Sequence, residues 1–240
     1  MAILNSIIGI LFIFAVAYLL SNNKKHIKWR TIIIGFLIQF GFALIVLKWS
    51  VGRYVLSKVA LGVQGVISYA NEGIGFVFGS LTNDGSIFVV NVLCVIIFIS
   101  AVVSILYYLG IMQFIIRVIG GALSKLLGTS QLETISASAN IFLGQTEAPL
   151  LIKPYVAKLT ESELFTVMVG GLASVSGSIL VGYSLLGIPI EYLISASFMA
   201  APAGLIISKM LYPETEFDKI QNEVKMVKDD SANVVDAASK

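Results

Sequence analysis

The chain has 240 residues, of which 57% are hydrophobic and only 12% charged, with a mean hydropathy of +0.92. A soluble domain carries about 25% charged residues, and an apolar excess this large cannot be hidden inside a 25.8 kDa core. The composition excludes an ordinary water-soluble enzyme, a disordered chain and a nucleic-acid-binding domain, and describes an all-α integral membrane protein. The net charge of +2 is uneven: from Lys209 onward five Lys face seven Asp and Glu, leaving +4 on the preceding body. No basic stripe with interleaved aromatics is present, so nucleic acid is not an expected partner.

A membrane-crossing helix needs roughly 20 mostly apolar residues. Residues 3–20 supply the first. The first 23 residues carry no charged side chain, and they lack both a basic n-region and a small-x-small cleavage site, so this reads as a retained helix rather than a removed signal. A basic loop follows with Lys24, Lys25, Lys28 and Arg30, and with the single histidine, His26. Residues 31–47 form the second predicted span, 87–109 the third, 164–186 the fourth and 192–211 the fifth. Lys and Arg in short loops mark the cytoplasmic side. The 24–30 loop therefore places the N-terminus outside, and alternation then puts Arg117, Lys125, Lys153, Lys158 and Lys209 inside. The segment with Lys48, Arg53 and Lys58 is the exception, falling outside with three positive charges.

Two segments are amphipathic and too polar to span. Arg53, Ser57, Gln64, Ser68 and Glu72 share one helical face, with Val55, Val59, Val63 and Val66 elsewhere. Gln113, Arg117, Ser124 and Lys125 share another, opposite Phe114, Ile115 and Val118. Both read as helices in the membrane interface, with short spans or surface hairpins as the alternative.

Residues 129–159 have a different character. Ser130 and Glu133 have capping-box spacing, so a helix starts there. It passes through small residues to Asn140 and meets a Gly-Gln-Thr-Glu-Ala-Pro run over residues 144–149. Both ends of the segment are polar and fall on the same side, which predicts two half-helices meeting at a polar tip, a re-entrant hairpin. Thr160 and Glu163 form a second capping box that opens the fourth span. In that span Gly170, Ser174, Ser178 and Gly182 recur every four residues. Such a stripe serves close helix packing; the alternative is an unwound stretch over 174–177 that offers carbonyls to a ligand. Beyond Pro213 the tail is polar, and residues 233–238 open another helix.

Glu147 dominates the candidate chemistry. An ionisable group at membrane depth costs several kcal/mol unless it is paired or solvated. With Asn140, Gln145 and Thr146 it concentrates donors and acceptors at a predicted helix break, where secondary transporters hold substrate and ions. The competing role is a cap on the second half-helix. There is no nucleophile–base pair, GxSxG elbow, Walker loop or dinucleotide fingerprint, and one Cys with one His makes no zinc cluster.

The run from Asn140 to Leu150, the stretch from Met168 to Ser178, Met199 to Pro202, Pro213 to Glu216, and Asn233 to Ala238 together resemble the concentrative nucleoside transporter family, along essentially the whole chain. The resemblance implies a sodium- or proton-coupled nucleoside importer, usually a homotrimer, working without a cofactor other than the coupling ion. It implies that Gln145, Thr146 and Glu147 face the nucleobase and that Ile179 lines the same pocket. In sodium-coupled members the ion would fall to the Asn140 and Ser174 side chains and to the carbonyls of Leu143 and Val175. That donor set suits a hard cation, which takes oxygen ligands. Sodium is favoured over a proton on the presence of Asn140 and Ser174.

In the family's terms, residues 1–128 are scaffold and 129–211 the first transport repeat. The repeat comprises the hairpin 129–159, a broken helix 160–187 and a helix 190–211; residues 212–240 are a polar tail opening an interfacial helix. Bacterial members run to about eight membrane helices with two inverted repeats, so this chain is expected to be a truncated or split version lacking the second. Three functional classes follow. The chain transports nucleosides across the cell membrane; or it is a non-transporting assembly module whose partner chain carries the missing half; or, least supported, it is an enzyme using a lone buried Glu as base.

Overall fold

The computed structural model describes residues 2–79, 87–220 and 231–239, except for the side chains of Ala2, Ile3, Leu47 and Ser178. All regular structure among them is helical. Helix α1 (Ala2–Leu19) and helix α2 (Trp29–Leu47) are joined by the basic loop, which contains one 3-10 turn at Lys24–His26. Ile27 is buried and anchors this loop, while Lys24, Lys25, Lys28 and Arg30 stay exposed.

Helix α3 (Ser50–Phe78) runs 29 residues, further in both directions than its polar face suggested. Arg53, Ser57, Gln64, Ser68 and Glu72 are all exposed along it, while Ala60, Ile67, Ala70 and Ile74 are buried. A π-helical turn at Val89–Leu93 leads into helix α4 (Cys94–Tyr108), and the two form one continuous apolar span.

In helix α5 (Ile111–Leu127) Phe114 and Val118 lie opposite the polar face as expected and are 68% and 55% exposed. Met112, Ile116, Gly120, Leu123 and Leu127 are buried instead, on the i, i+4, i+7 spacing of one helical stripe. Exposed apolar residues are ordinary on a chain whose solvent is lipid, so hydrophobicity alone does not mark the inward face. Gly128, at φ +67°, ends α5 in the left-handed region that favours glycine.

Helix α6 (Gln131–Ala139), a turn, and a 3-10 segment (Ala148–Lys158) make up the hairpin region. Its second arm is 3-10 rather than α. Interior to it, Pro154 has no N–H for the ladder and its ring clashes with the preceding turn of an α-helix, whereas Pro149 stands in the first turn, where no such bond is lost. Helices α7 (Glu161–Ala173) and α8 (Gly177–Leu185) occupy the predicted fourth span, which is interrupted at 174–176. Helix α9 (Ile190–Leu211) follows, and helix α10 (Val234–Ser239) lies where residues 233–238 were expected to begin one. The expected tail between 221 and 230 lies outside the described residues.

Among the described residues, three helices are long and apolar enough to cross a membrane: Trp29–Val46, Val89–Tyr108 and Ile190–Leu211. Helix α1 is apolar but shorter, and neither α7, at 13 residues, nor α8, at 9, reaches the length of a span alone. Large apolar side chains such as Phe12, Ile97 and Leu172 are mostly exposed, as an exterior facing hydrocarbon requires.

Hydrogen bonds gather several chain ends at one pole of the bundle. The Thr31 hydroxyl donates to the Leu127 carbonyl at 2.8 Å, the Asn22 N–H to the Leu211 carbonyl at 2.8 Å, and the Ser162 hydroxyl to the Tyr212 carbonyl at 2.6 Å. The basic loop, the end of α5, the start of α7 and the end of α9 therefore share that pole.

Helices α5 and α6 approach closely at Gly120, where an added Cβ would stand 3.1 Å from the Ile135 Cα. A Gly120→Val substitution must push backbone rather than a flexible side chain, and overpacking of this kind costs about 1–3 kcal/mol. Thermal unfolding of the detergent-solubilised protein should show a lower Tm for Gly120→Val, whereas Val118→Ala on the exposed face of the same helix should leave it nearly unchanged.

Candidate functional site

Helix α6 is held at its start by a complete capping box. The Glu133 carboxylate accepts from the Ser130 N–H at 2.8 Å, and the Ser130 hydroxyl accepts from the Leu132 N–H at 3.2 Å. From Leu132 to Ala139 every residue is buried, including Thr134, Ser136 and Ser138. Small side chains let this short helix sit inside the protein, and it delivers Asn140 to the tip.

The tip turns back through 140–147. The Leu143 N–H bonds to the Ala139 carbonyl at 2.8 Å. The Glu147 carboxylate accepts from the Gly144 N–H at 2.9 Å, and the Glu147 N–H returns a bond to the Gly144 carbonyl at 3.1 Å. Glu147 occupies the N-cap of the 3-10 arm without capping it through its side chain. Its carboxylate closes the turn behind it, which corrects the expectation of a cap on the second arm.

The interruption between α7 and α8 lies directly against this tip. Ser174 (φ −120°, ψ 164°) and Ser176 (φ −64°, ψ 151°) are extended. The Gly177 N–H donates to the Phe142 carbonyl at 3.1 Å, and a Cβ on Gly177 would stand 3.0 Å from that oxygen, so only glycine fits without displacement. The Ser174 hydroxyl donates to the Gly170 carbonyl at 2.7 Å. A Cβ on Gly170 would lie 3.3 Å from Asn140 Nδ2, and one on Gly171 would lie 3.3 Å from the Gln145 Cβ.

The small-residue stripe packs closely at its ends and unwinds over 174–176 between them. Gly170 lets α7 close on the hairpin, and Gly182 lets α8 close on α4, with Ile96 Cδ1 at 2.9 Å from a Cβ built there. Between them the helix unwinds. The side chain of Ser178 lies outside the described residues.

These contacts set Gly170 and Gly171 of α7 against Asn140 and Gln145, and Gly177 of α8 against Phe142. Asn140 is 1% exposed, and neither Nδ2 nor Oδ1 of its amide has a hydrogen-bond partner. Leu143 is buried, while Ser174 and Val175 are half-buried. Gln145, Thr146 and Glu147 are exposed along the tip, and Ile179 is 45% exposed in the first turn of α8. From α9, the Ser197 hydroxyl donates to the Ile141 carbonyl at 3.0 Å, and Phe198 meets Phe142 edge-on at 5.9 Å.

A second buried polar cluster was not anticipated. Lys209 Nζ lies 2.5 Å from Glu133 Oε2, 2.8 Å from Ser162 Oγ and 3.9 Å from Glu214 Oε2. Glu214 accepts from the Thr160 hydroxyl at 2.7 Å, and Thr160 is in turn capped by Glu163. The sequence reading took Glu133 and Glu163 as caps and Lys209 as a marker of sidedness. The available signal was Lys209 itself, an ionisable side chain inside an otherwise apolar run. At the rim, Glu161 accepts from the Tyr212 hydroxyl, and this bond holds the phenol above its ordinary pKa.

Residues 8–81 match the family model for the Na+ dependent nucleoside transporter N-terminus, 89–189 the model for nucleoside recognition, and 192–240 that for the Na+ dependent nucleoside transporter C-terminus. The chain belongs to the concentrative nucleoside transporter family. This is a family of transporters, not of enzymes.

Among its relatives, the uncharacterized transporter YutK of Bacillus subtilis is 54% identical over 100% of this chain and 60% of its own length. The nucleoside permease NupC of Helicobacter pylori is 48% identical over 88% of this chain and 52% of its own. The structure of CNTnw in an inward-facing substrate-bound state aligns with a TM-score of 0.95 and 48% identity, over 100% of this chain and 60% of that one. An outward-facing state of CNTnw carrying two substitutions aligns at 0.91. The chain thus spans about 60% of the length of the relatives it matches most fully.

A buried unpaired amide costs about 1–3 kcal/mol. Asn140→Leu, similar in volume and apolar, removes both orphaned atoms. In sodium-free buffer this variant should therefore melt at or above the wild-type temperature, while any stabilisation by added sodium disappears. A sodium-independent fall in Tm for Asn140→Leu would show that the amide is already satisfied in the free protein.

Proposed function

We propose that this chain carries the coupling-ion site and the nucleobase-facing side of a cation-coupled nucleoside uptake pathway, with sodium favoured over a proton. The observation that carries this reading is the Asn140 amide, buried with both ends unpaired beside an unwound stretch of backbone. A hard cation takes oxygen ligands. The Asn140 and Ser174 side-chain oxygens and the carbonyls of Leu143 and Val175 form the proposed sodium site. Gln145, Thr146, Glu147 and Ile179 are the proposed nucleobase contacts. Their exposure suits residues that meet a ligand arriving from outside this chain's own packing.

In this reading residues 1–128 are scaffold, residues 129–211 the first transport repeat, and residues 212–240 a tail that opens an interfacial helix. The hairpin re-enters the membrane, and α7 with α8 forms a broken crossing, so that α1, α2, α4, the broken helix and α9 give five crossings. Transport proceeds by alternating access, with hairpin and broken helix moving together against the first helices. The close approach of Gly170 and Gly171 to Asn140 and Gln145 supports movement as a unit. The likeness to both inward- and outward-facing CNTnw structures supports the alternation.

The proposed setting is the cell membrane with the N-terminus outside. The basic 24–30 loop shares one pole with Lys125 and Lys209, as the positive-inside rule asks of a cytoplasmic end. Ion binding would raise nucleoside affinity, and nucleoside would raise ion affinity by the same factor. A homotrimer is the proposed assembly. Because the chain spans about 60% of its relatives' length, a second reading stands beside the first: a non-transporting membrane subunit that needs a partner carrying the second repeat.

Uptake of labelled uridine and adenosine into cells lacking other nucleoside carriers, with and without sodium, separates the two. If this chain alone transports, uptake should be sodium-dependent and should fall to background for Asn140→Ala and for Glu147→Ala at matched expression. Confirmed membrane insertion without uptake favours the subunit reading, and normal uptake by both variants removes the site assignment.

A further inference from the structure

The proposed ion site is built on the far ends of two helices, and the near ends of those helices meet at Lys209. Glu133 stands in the first turn of α6 and Ser162 in the first turn of α7, and Lys209, in the last turn of α9, touches both, at 2.5 Å and 2.8 Å. From Glu133 to Asn140 the rise along α6 is about 10 Å, and from Ser162 to Ser174 along α7 about 18 Å. Between these points the two helices run in contact, with Gly170 facing Ala137 and Asn140.

The node is largely buried. Glu133, Glu163, Thr160 and Ser162 are each at most 3% exposed, and Lys209 and Glu214 are 8% exposed. Each carboxylate also has a local task that fixes its position. Glu133 caps α6, Glu163 caps α7, and Glu214 takes the Thr160 hydroxyl through one oxygen and the N–H groups of Thr215 and Glu216 through the other. Among the described residues Lys209 is the one cation in this cluster, and it is what connects the two capped helix starts to each other and to α9. Breaking a buried pair leaves an uncompensated charge, so the helix starts must shift when the cation is removed.

We propose that Lys209 is a positioning residue for ion coupling: by clamping the starts of α6 and α7 to α9, it sets the register that brings Asn140 to Ser174. This inference rests on the sodium reading above. Lys209 touches neither the ion nor the nucleoside; it acts through the two helices.

The test is binding of radioactive sodium to the purified chain, alongside its melting temperature. Wild-type should bind saturably and Asn140→Ala should not. Lys209→Met should weaken sodium binding at least about fivefold, and Lys209→Arg, which keeps the charge, should stay within about twofold of wild type. The double variant Lys209→Met with Glu133→Gln removes both charges of the 2.5 Å pair together, yet it should still bind sodium weakly because the clamp is gone. Should the Met variants fail to fold, Ser162→Ala removes one neutral arm and should weaken binding about threefold.

Retained sodium binding by Asn140→Ala, or none by the wild type, overturns the sodium reading and this inference with it. Loss in Asn140→Ala together with wild-type affinity in folded Lys209→Met, in the folded double variant or in Ser162→Ala overturns only the role of Lys209, leaving it a purely structural ion pair.

Discussion

The hydrogen bond from the Gly177 N–H to the Phe142 carbonyl joins two interruptions of the backbone, and the rest of the site depends on it. Hydrocarbon offers no partner to a free peptide group, so a broken helix survives at membrane depth only where protein or a polar cavity satisfies it. Here each break serves the other. The tip of the hairpin presents its carbonyl to the start of α8, and the absence of a side chain at Gly177 permits the approach. The unwound backbone is thereby held against the tip that carries the buried Asn140 amide.

That arrangement needs both helices to be held from behind. Helices α6 and α7 start in the same way, each with a capping box, and the two starts meet the ammonium of Lys209 through Glu133 and Ser162. Ring contacts hold the other end: Phe142 meets Phe198 edge-on, and Phe198 stacks on Phe42 of α2. The short helix α6 is thus tied at both ends to α9. A buried ion pair is weak evidence for net stability, because desolvation offsets much of its attraction. Its value here is geometric, since it fixes which two helix starts meet.

The elements themselves were legible in the sequence. Apolar runs of 17 residues or more located α2, α4 and α9, and capping-box spacing located the first turns of α6 and α7. The Gly-Gln-Thr-Glu-Ala-Pro run marked the tip. Which face of α5 turns inward was not legible, because its solvent is lipid. In α5 the exposed face carries Phe114 and Val118, as apolar as the buried face of Met112 and Ile116, so hydrophobicity gave no direction. The second arm of the hairpin is helical as the spacing predicts, but its interior Pro154 disfavours the α form.

By itself the sequence determined that this is a helical membrane protein with a polar break near Glu147, because span length, caps and breakers act through neighbours in the chain. It also carried the family resemblance, since those motifs are contiguous. Only the tertiary structure decided that the stripe from Gly170 to Gly182 both packs and unwinds, that the Glu147 carboxylate turns back to Gly144, and that Lys209 meets Glu133 across 76 positions of sequence. Those outcomes depend on which surfaces of distant helices come together. No local spacing encodes that choice; it is set by close packing and by the cost of leaving buried polar groups unpaired.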